Sequence, residues 1–215
     1  MTITASADGS ALGNPGPAGW AWYIDDDTWA AGGWKHATNN QGELKAVLEL
    51  FRATAHVDDD LHILCDSQYV IDSVTKWMPG WKAKGWRKRD GKPVLNLDLL
   101  KEIDEAIAGR RYRFEWVKGH MGHVLNEAAD VRARAVAEAY ARGAAIPSGP
   151  GFPGAAVSRV EPAEPVEPQP TEAATLFDLE TPAPAAALTT VQQRRILNRA
   201  KSEGVTVDEL LDRLL

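Results

Sequence analysis

Tryptophan and proline are segregated along this chain of 215 residues: all eight Trp lie at or before Trp116, whereas nine of the thirteen Pro fall between Ala144 and Ala187. Buried aromatics build a core and a proline-rich run prevents one, so this partition constrains the fold more than any other feature. It predicts one packed domain over residues 1–143, a linker over 144–187 and a small helical module over 188–215. The linker is Pro, Ala, Glu and Gly, a composition that buries too little apolar area to offset chain entropy, and is expected to be disordered. In the last segment Val191, Ile196, Leu197 and Ala200 precede Gly204, and the capping-box pattern Thr206-Val207-Asp208-Glu209 leads into Leu210, Leu211 and Leu214. Two short amphipathic helices are the expectation.

Within the first 143 residues the periodicity changes repeatedly. Residues 2–7 suit a strand that Asp8 ends or interrupts, Trp20 to Ile24 a second, and Thr28 to Gly33 a third after the acidic turn Asp25-Asp26-Asp27. Leu44, Val47, Leu48 and Phe51 have helical spacing, with Asn39 or Asn40 placed to cap. Leu61 to Cys65 reads as a buried strand. A helix from Gln68 to Met78 is expected to stop before Pro79. Leu97, Leu100, Ile103 and Ile107 mark another helix, Tyr112 to Trp116 alternates as a strand, and Asn126 to Arg142 forms the last helix. Strands first, then alternating helices and strands, predict a mixed sheet flanked by helices, the α/β class.

Cys65 is the one cysteine, which excludes an internal disulfide and reads as a small buried core residue. The start MTITASADGS lacks a signal-peptide pattern and no run reaches membrane-spanning length, so a soluble cytoplasmic protein is expected. A net charge of −6 argues against nonspecific nucleic-acid binding, yet it hides a patch. Residues 81–92, WKAKGWRKRDGK, set Lys82, Lys84, Arg87, Lys88, Arg89 and Lys92 against Asp90 alone.

Four carboxylates stand at expected element boundaries: Asp8, Glu43, Asp66 and Asp130. Taken singly, each reads as a helix cap or surface acid. Together they have a different implication, since four converging carboxylates repel one another unless divalent cations neutralise them. Oxygen ligands select hard ions such as magnesium or manganese.

The strings ADGSALGNPGP, TNNQGEL, CDSQYVIDS and FEWVKGHMGHVLNEAAD occur in this order, and together they resemble bacterial type 1 ribonuclease H over about residues 1–143. That resemblance implies the ribonuclease H-like fold, five mixed strands flanked by helices, and hydrolysis of the RNA strand of RNA–DNA hybrids to 5′-phosphate and 3′-hydroxyl ends. It implies that Asp8, Glu43, Asp66 and Asp130 are catalytic and hold two Mg2+ ions, with Mn2+ as a substitute. One ion would activate water and the other stabilise the departing 3′ oxygen. His120, the first histidine of GHMGH, matches the family's catalytic histidine; His123 is assigned no chemistry. The chain departs from the family at Ala7, where Thr is common, and in its extension beyond residue 143.

By the same resemblance Asn14, Asn39, Asn40 and Gln68 contact substrate, reading 2′-hydroxyls across the shallow minor groove. Asn14-Pro15-Gly16-Pro17 would also form a turn in any protein. Trp77, Trp81 and Trp86, interleaved with Lys82, Lys84, Arg87 and Lys88, look like the family's substrate-binding protrusion, a groove for the DNA strand. At least one of these Trp is expected to be structural. Two competing readings share the architecture: a related metal nuclease with another nucleic-acid substrate, and a hybrid-binding module that does not cut. A monomer is expected. The extension is a candidate site for a protein partner, with Leu176 and Phe177 of Thr175-Leu176-Phe177-Asp178-Leu179 as a docking motif; the basic residues Arg194, Arg195, Arg199 and Lys201 alternatively suggest nucleic acid.

Overall fold

The structure, a computed structural model, describes residues 1–119 and 121–155. Three antiparallel strands open the chain, β1 (Thr2–Ala11), β2 (Gly16–Asp25) and β3 (Thr28–Ala37). Helix α1 (Asn39–Ala53) leads to β4 (Asp60–Cys65), and the chain continues through α2 (Gln68–Asp72), α3 (Met78–Ala83), α4 (Leu97–Ala106), β5 (Tyr112–Trp116) and α5 (Val124–Arg142). The sheet order is β3-β2-β1-β4-β5, with β1–β4 and β4–β5 parallel. This is the five-stranded mixed sheet expected from the sequence.

Two layers cover the sheet. On one face Ala5, Ala7, Leu61 and Ile63 pack with Leu44, Val47, Leu48 and Phe51 of α1 and Leu100 and Ile103 of α4. Each large aliphatic buried there contributes about 1.5–3 kcal/mol of transfer free energy. On the other face Ala21 and Ala31 meet Ala133 and Val136 of α5. Small residues on both sides let that helix lie close to the strands. Cys65 is buried as expected, and burial pushes its thiol well up.

Four local expectations are corrected. Asp8 does not end β1; it pairs with Ala21 inside a hairpin that continues to Ala11. Long-range ladder bonds to β2 override the poor strand propensity of Asp and Gly. The cap of α1 is Thr38 rather than Asn39 or Asn40: the Thr38 hydroxyl accepts from Gln41 N while Gln41 Oε1 accepts from Thr38 N at 2.7 Å. This box satisfies two backbone donors reciprocally and releases the Asn39 side chain.

The helix from Gln68 does not stop before Pro79. A π-helical segment, Ser73–Trp77, joins α2 to α3, and Met78 N donates back to Ser73 O. Pro79 then occupies the first turn of α3, where its missing N–H costs nothing. The start of the expected linker also moves, because residues 148–151 pair with the outer edge of β3. Ala31 N donates to Ser148 O at 3.0 Å and Gly151 N to Trp29 O at 2.9 Å. Ile146 packs on the α5 face, Phe152 lies edge-on to His56, and His56 Nε2 donates to Pro153 O at 3.0 Å. The strap covers an otherwise open strand edge. The rest of the linker, the 175–179 motif and the 188–215 module lie outside the described residues, as does His120.

Candidate active site

Two glycines bring the first two acids together. A Cβ on Gly9 would stand 2.3 Å from Glu43 N, and one on Gly42 would stand 3.2 Å from Gly9 Cα. Only a glycine pair lets β1 and α1 touch backbone to backbone, and the contact sets Glu43 beside Asp8. Asp66 follows β4, the parallel neighbour of β1, so it emerges at the same end of the sheet. Ligand oxygens of Asp8, Glu43 and Asp66 all lie within 4.8 Å of one another. Asp130, half-buried on α5, stands outside that trio but acts on Asp8 through its charge.

The electrostatics are severe. Asp8 is 5% and Glu43 8% exposed. Burial pushes the Asp8 carboxyl up to about 8, and the negative charges of Asp66, Asp130 and Glu43 push the same way against a 2.7 Å bond from Gly9 N. Burial also raises Glu43 to about 7, with Asp66 adding to it, although Ser67 Oγ donates at 2.6 Å and Asn39 Nδ2 at 2.8 Å. Desolvated, mutually repelling carboxylates of this kind either keep protons or take up cations. Three or four hard oxygen donors fit a divalent ion such as magnesium or manganese.

Around the acids, Asn14 Oδ1 accepts from Asn39 N at 3.2 Å, which ties the β1–β2 turn to the start of α1. Asn40 is half-buried on the same turn. Gln68 Nε2 donates to Asp72 Oδ1 at 3.0 Å on the exposed side of α2. Three contributors escape sequence reading: Ser67, which bonds Glu43 and also caps α2; Asn126, whose Nδ2 lies 3.5 Å from Asp66 Oδ2; and Gly119, where a Cβ would meet Asp66 Oδ2 at 2.4 Å. Of these, Ser67 and Asn126 were within reach, because the strings CDSQ and LNEAAD place each beside a candidate acid.

The family model described as RNase H matches residues 2–138. The chain belongs to the ribonuclease H family. It is 54% identical over 150 residues to a ribonuclease H of Tropheryma whipplei (strain Twist), covering 70% of this chain and 93% of that one. A ribonuclease H of Bradyrhizobium diazoefficiens is 44% identical over 138 residues, 61% and 87% of the two chains. Among solved structures, LC9-RNase H1, a type 1 RNase H with the type 2 active-site motif, aligns with TM-score 0.57 at 30% identity over 65% of this chain and 73% of that one. The N-terminal RNase H domain of a Mycobacterium tuberculosis protein, as a maltose-binding-protein fusion, aligns with TM-score 0.51 at 25% identity over 67% and 99%. Ribonuclease H membership implies dependence on a divalent metal, and the acid cluster is the part of this chain suited to it.

In this ribonuclease H the basic insert projects after the π-helical segment. Trp77, 39% exposed, packs on Trp81 with centroids 5.6 Å apart and on Tyr69 at 6.3 Å. Trp81 and Trp86 are partly buried against the core, so two of the three Trp anchor the protrusion and Trp77 offers a face to solvent. Lys82 is held by Asp104 at 2.6 Å and Arg87 Nη1 donates to Gly91 O at 2.8 Å. Lys84 is exposed and Lys88 half-buried. No helix among the described residues is long and apolar enough to cross a membrane.

Proposed function

We propose that this chain is an endoribonuclease that hydrolyses the RNA strand of RNA–DNA hybrids, leaving 5′-phosphate and 3′-hydroxyl ends, and acts as a cytoplasmic monomer. The observation that carries the reading is the trio Asp8, Glu43 and Asp66, whose oxygens share a 4.8 Å neighbourhood in a family whose members are named ribonuclease H. A protein that only gripped the hybrid would gain nothing from bearing their repulsion.

Asp8, Glu43, Asp66 and Asp130 would hold two Mg2+ ions, with Mn2+ able to replace them. Bound ions of this kind supply Lewis acidity at the scissile phosphodiester and lower the pKa of water. The protein's own groups do the rest. Ser67 and Asn39 fix the two Glu43 oxygens, and Gly9 N fixes one oxygen of Asp8. His120, matched through GHMGH, carries a proton to or from the reacting oxygens. Asn14, Asn39, Asn40 and Gln68 would discriminate 2′-hydroxyls, a reading supported by the bond of Asn39 to Glu43 and of Asn14 to Asn39 N. The face of Trp77 and the cations Lys84, Arg87 and Lys88 would receive the DNA strand, with Trp81 and Trp86 anchoring the platform and Lys82 oriented by Asp104. The extension beyond the described residues would engage a protein partner through Leu176 and Phe177.

The test is cleavage of an end-labelled RNA–DNA hybrid with magnesium or with chelator, beside single-stranded RNA, duplex RNA and duplex DNA. Magnesium-dependent cutting confined to the RNA of the hybrid is expected. Tight binding without cutting under any metal would make the chain a binding module, and cutting of duplex DNA would make it another metal nuclease.

A further inference from the structure

Ser6 is two residues before Asp8 on β1, hence on the same face of the strand, and is fully buried. A buried hydroxyl needs partners, and Ser6 Oγ has two acceptors at 3.0 Å, Leu64 O of β4 and Asn126 Oδ1 of α5. Asn126 is itself 2% exposed, and its Nδ2 points at Asp66 Oδ2 at 3.5 Å. The direction of this chain is determined by chemistry. A carboxylate oxygen accepts, so the amide turns Nδ2 to Asp66; Oδ1 then faces Ser6, whose single proton is shared between Asn126 Oδ1 and Leu64 O. Reversing the amide would set two acceptors against each other at Asp66.

Other contacts complete the grip on Asp66. Trp116 Nε1 donates to Asp66 O at 3.1 Å, which fixes the backbone. The backbone at Gly119 walls the Oδ2 side, where a Cβ would stand 2.4 Å away. Asn126 lies one helical turn before Asp130, so α5 presents to the cluster an amide and an acid on one face.

We propose that Ser6 and Asn126 form a positioning relay that orients the Asp66 carboxylate for divalent-metal binding. The proposal rests on the carboxylate reading above. Neither residue touches substrate; both act through Asp66, as outer-shell partners of metal ligands do.

The experiment is titration of the full chain with Mn2+ by calorimetry. Alongside it run kcat and KM on hybrid across a Mg2+ series and the metal-free Tm, for Ser6→Ala, Ser6→Thr, Asn126→Ala and the double alanine variant. Loss of Asn126 is expected to weaken Mn2+ about tenfold and to raise the Mg2+ needed for half-maximal rate in step, while KM for hybrid stays within about twofold. Ser6→Ala is expected to give part of that loss, Ser6→Thr to restore it by keeping the hydroxyl, and the double variant to lose no more than Asn126→Ala. Wild-type Mn2+ affinity in Asn126→Ala, with or without a lower Tm, would overturn the relay and leave a purely structural amide. Should that variant not fold, the Ser6 pair decides: equal affinity in alanine and threonine variants overturns it. Failure of the unaltered chain to bind Mn2+ would instead sink the carboxylate reading itself.

Discussion

The carboxylate cleft and the basic protrusion solve opposite electrostatic problems. In the cleft like charges are buried and crowded, Asp8 and Glu43 sit far above their ordinary pKa, and Gly9 N, Ser67 and Asn39 hold those two acids by short hydrogen bonds. On the protrusion like charges are spread over exposed turns, and Lys82 and Arg87 are relieved by Asp104 and a carbonyl. Burial makes a group's contribution large and dependent on its neighbours; exposure makes it small and additive. Mutations should therefore act all-or-none in the cleft and by degrees on the protrusion.

The strongest test of the contrast is Asp66→Asn, which keeps shape and removes charge. Hybrid cleavage is expected to fall by about 10³-fold or more in kcat, with the protein still folded by circular dichroism. A loss below tenfold would break the contrast. Replacing Lys84, Arg87 and Lys88 together by Ala is expected to raise KM about tenfold at moderate salt with kcat nearly unchanged. The slope of log affinity against log salt should drop by about 2–3, roughly one per cation, as fluorescence anisotropy on labelled hybrid would measure.

Stability against pH sharpens it further. Asp8 and Glu43 have folded pKa values raised to about 8 and about 7 from 3.8 and 4.5, so the folded chain holds protons that the unfolded chain releases. The stability this brings is present below about pH 4 and is lost as pH rises through 7 to 8. Metal-free Tm is expected to fall from pH 5 to pH 8, and Mg2+ to restore it most at pH 8, where it meets deprotonated acids. Asp8→Asn should raise the metal-free Tm at pH 8 by about 3–6 °C, on the order of 1.5 kcal/mol, and abolish most of the Mg2+ effect. Differential scanning calorimetry with chelator and with Mg2+ reads both. The smallest effect is expected at the cap: Thr38→Ala, which opens the capping box at the edge of the cleft, should cost about 1 kcal/mol in urea unfolding.

Legibility differed between these regions for physical reasons. Periodicity located every strand and the helices α1, α4 and α5, because alternation and 3.6-residue spacing are local consequences of which face is buried. It failed at Pro79, where a π-helical segment carries the chain past a residue that normally stops a helix, and at Asp8, where pairing with β2 outweighed propensity. The strap at 146–153 looked like linker by composition, yet Ile146 and Phe152 were its anchors and Trp29 its dock.

By itself the sequence determined the mixed α/β architecture, the basic insert and the four candidate acids. Those follow from composition, local periodicity and ordered motifs. Only the tertiary structure decided that Gly9 and Gly42 bring Asp8 against Glu43, that Asp66 joins them while Asp130 stands beyond the 4.8 Å trio, and that Ser6 reaches Asp66 through Asn126. Ser6 and Asn126 are 120 residues apart, and no local pattern encodes a hydrogen bond between them: it exists because close packing of α5 on β1 leaves two buried polar groups only each other and their immediate neighbours to satisfy them.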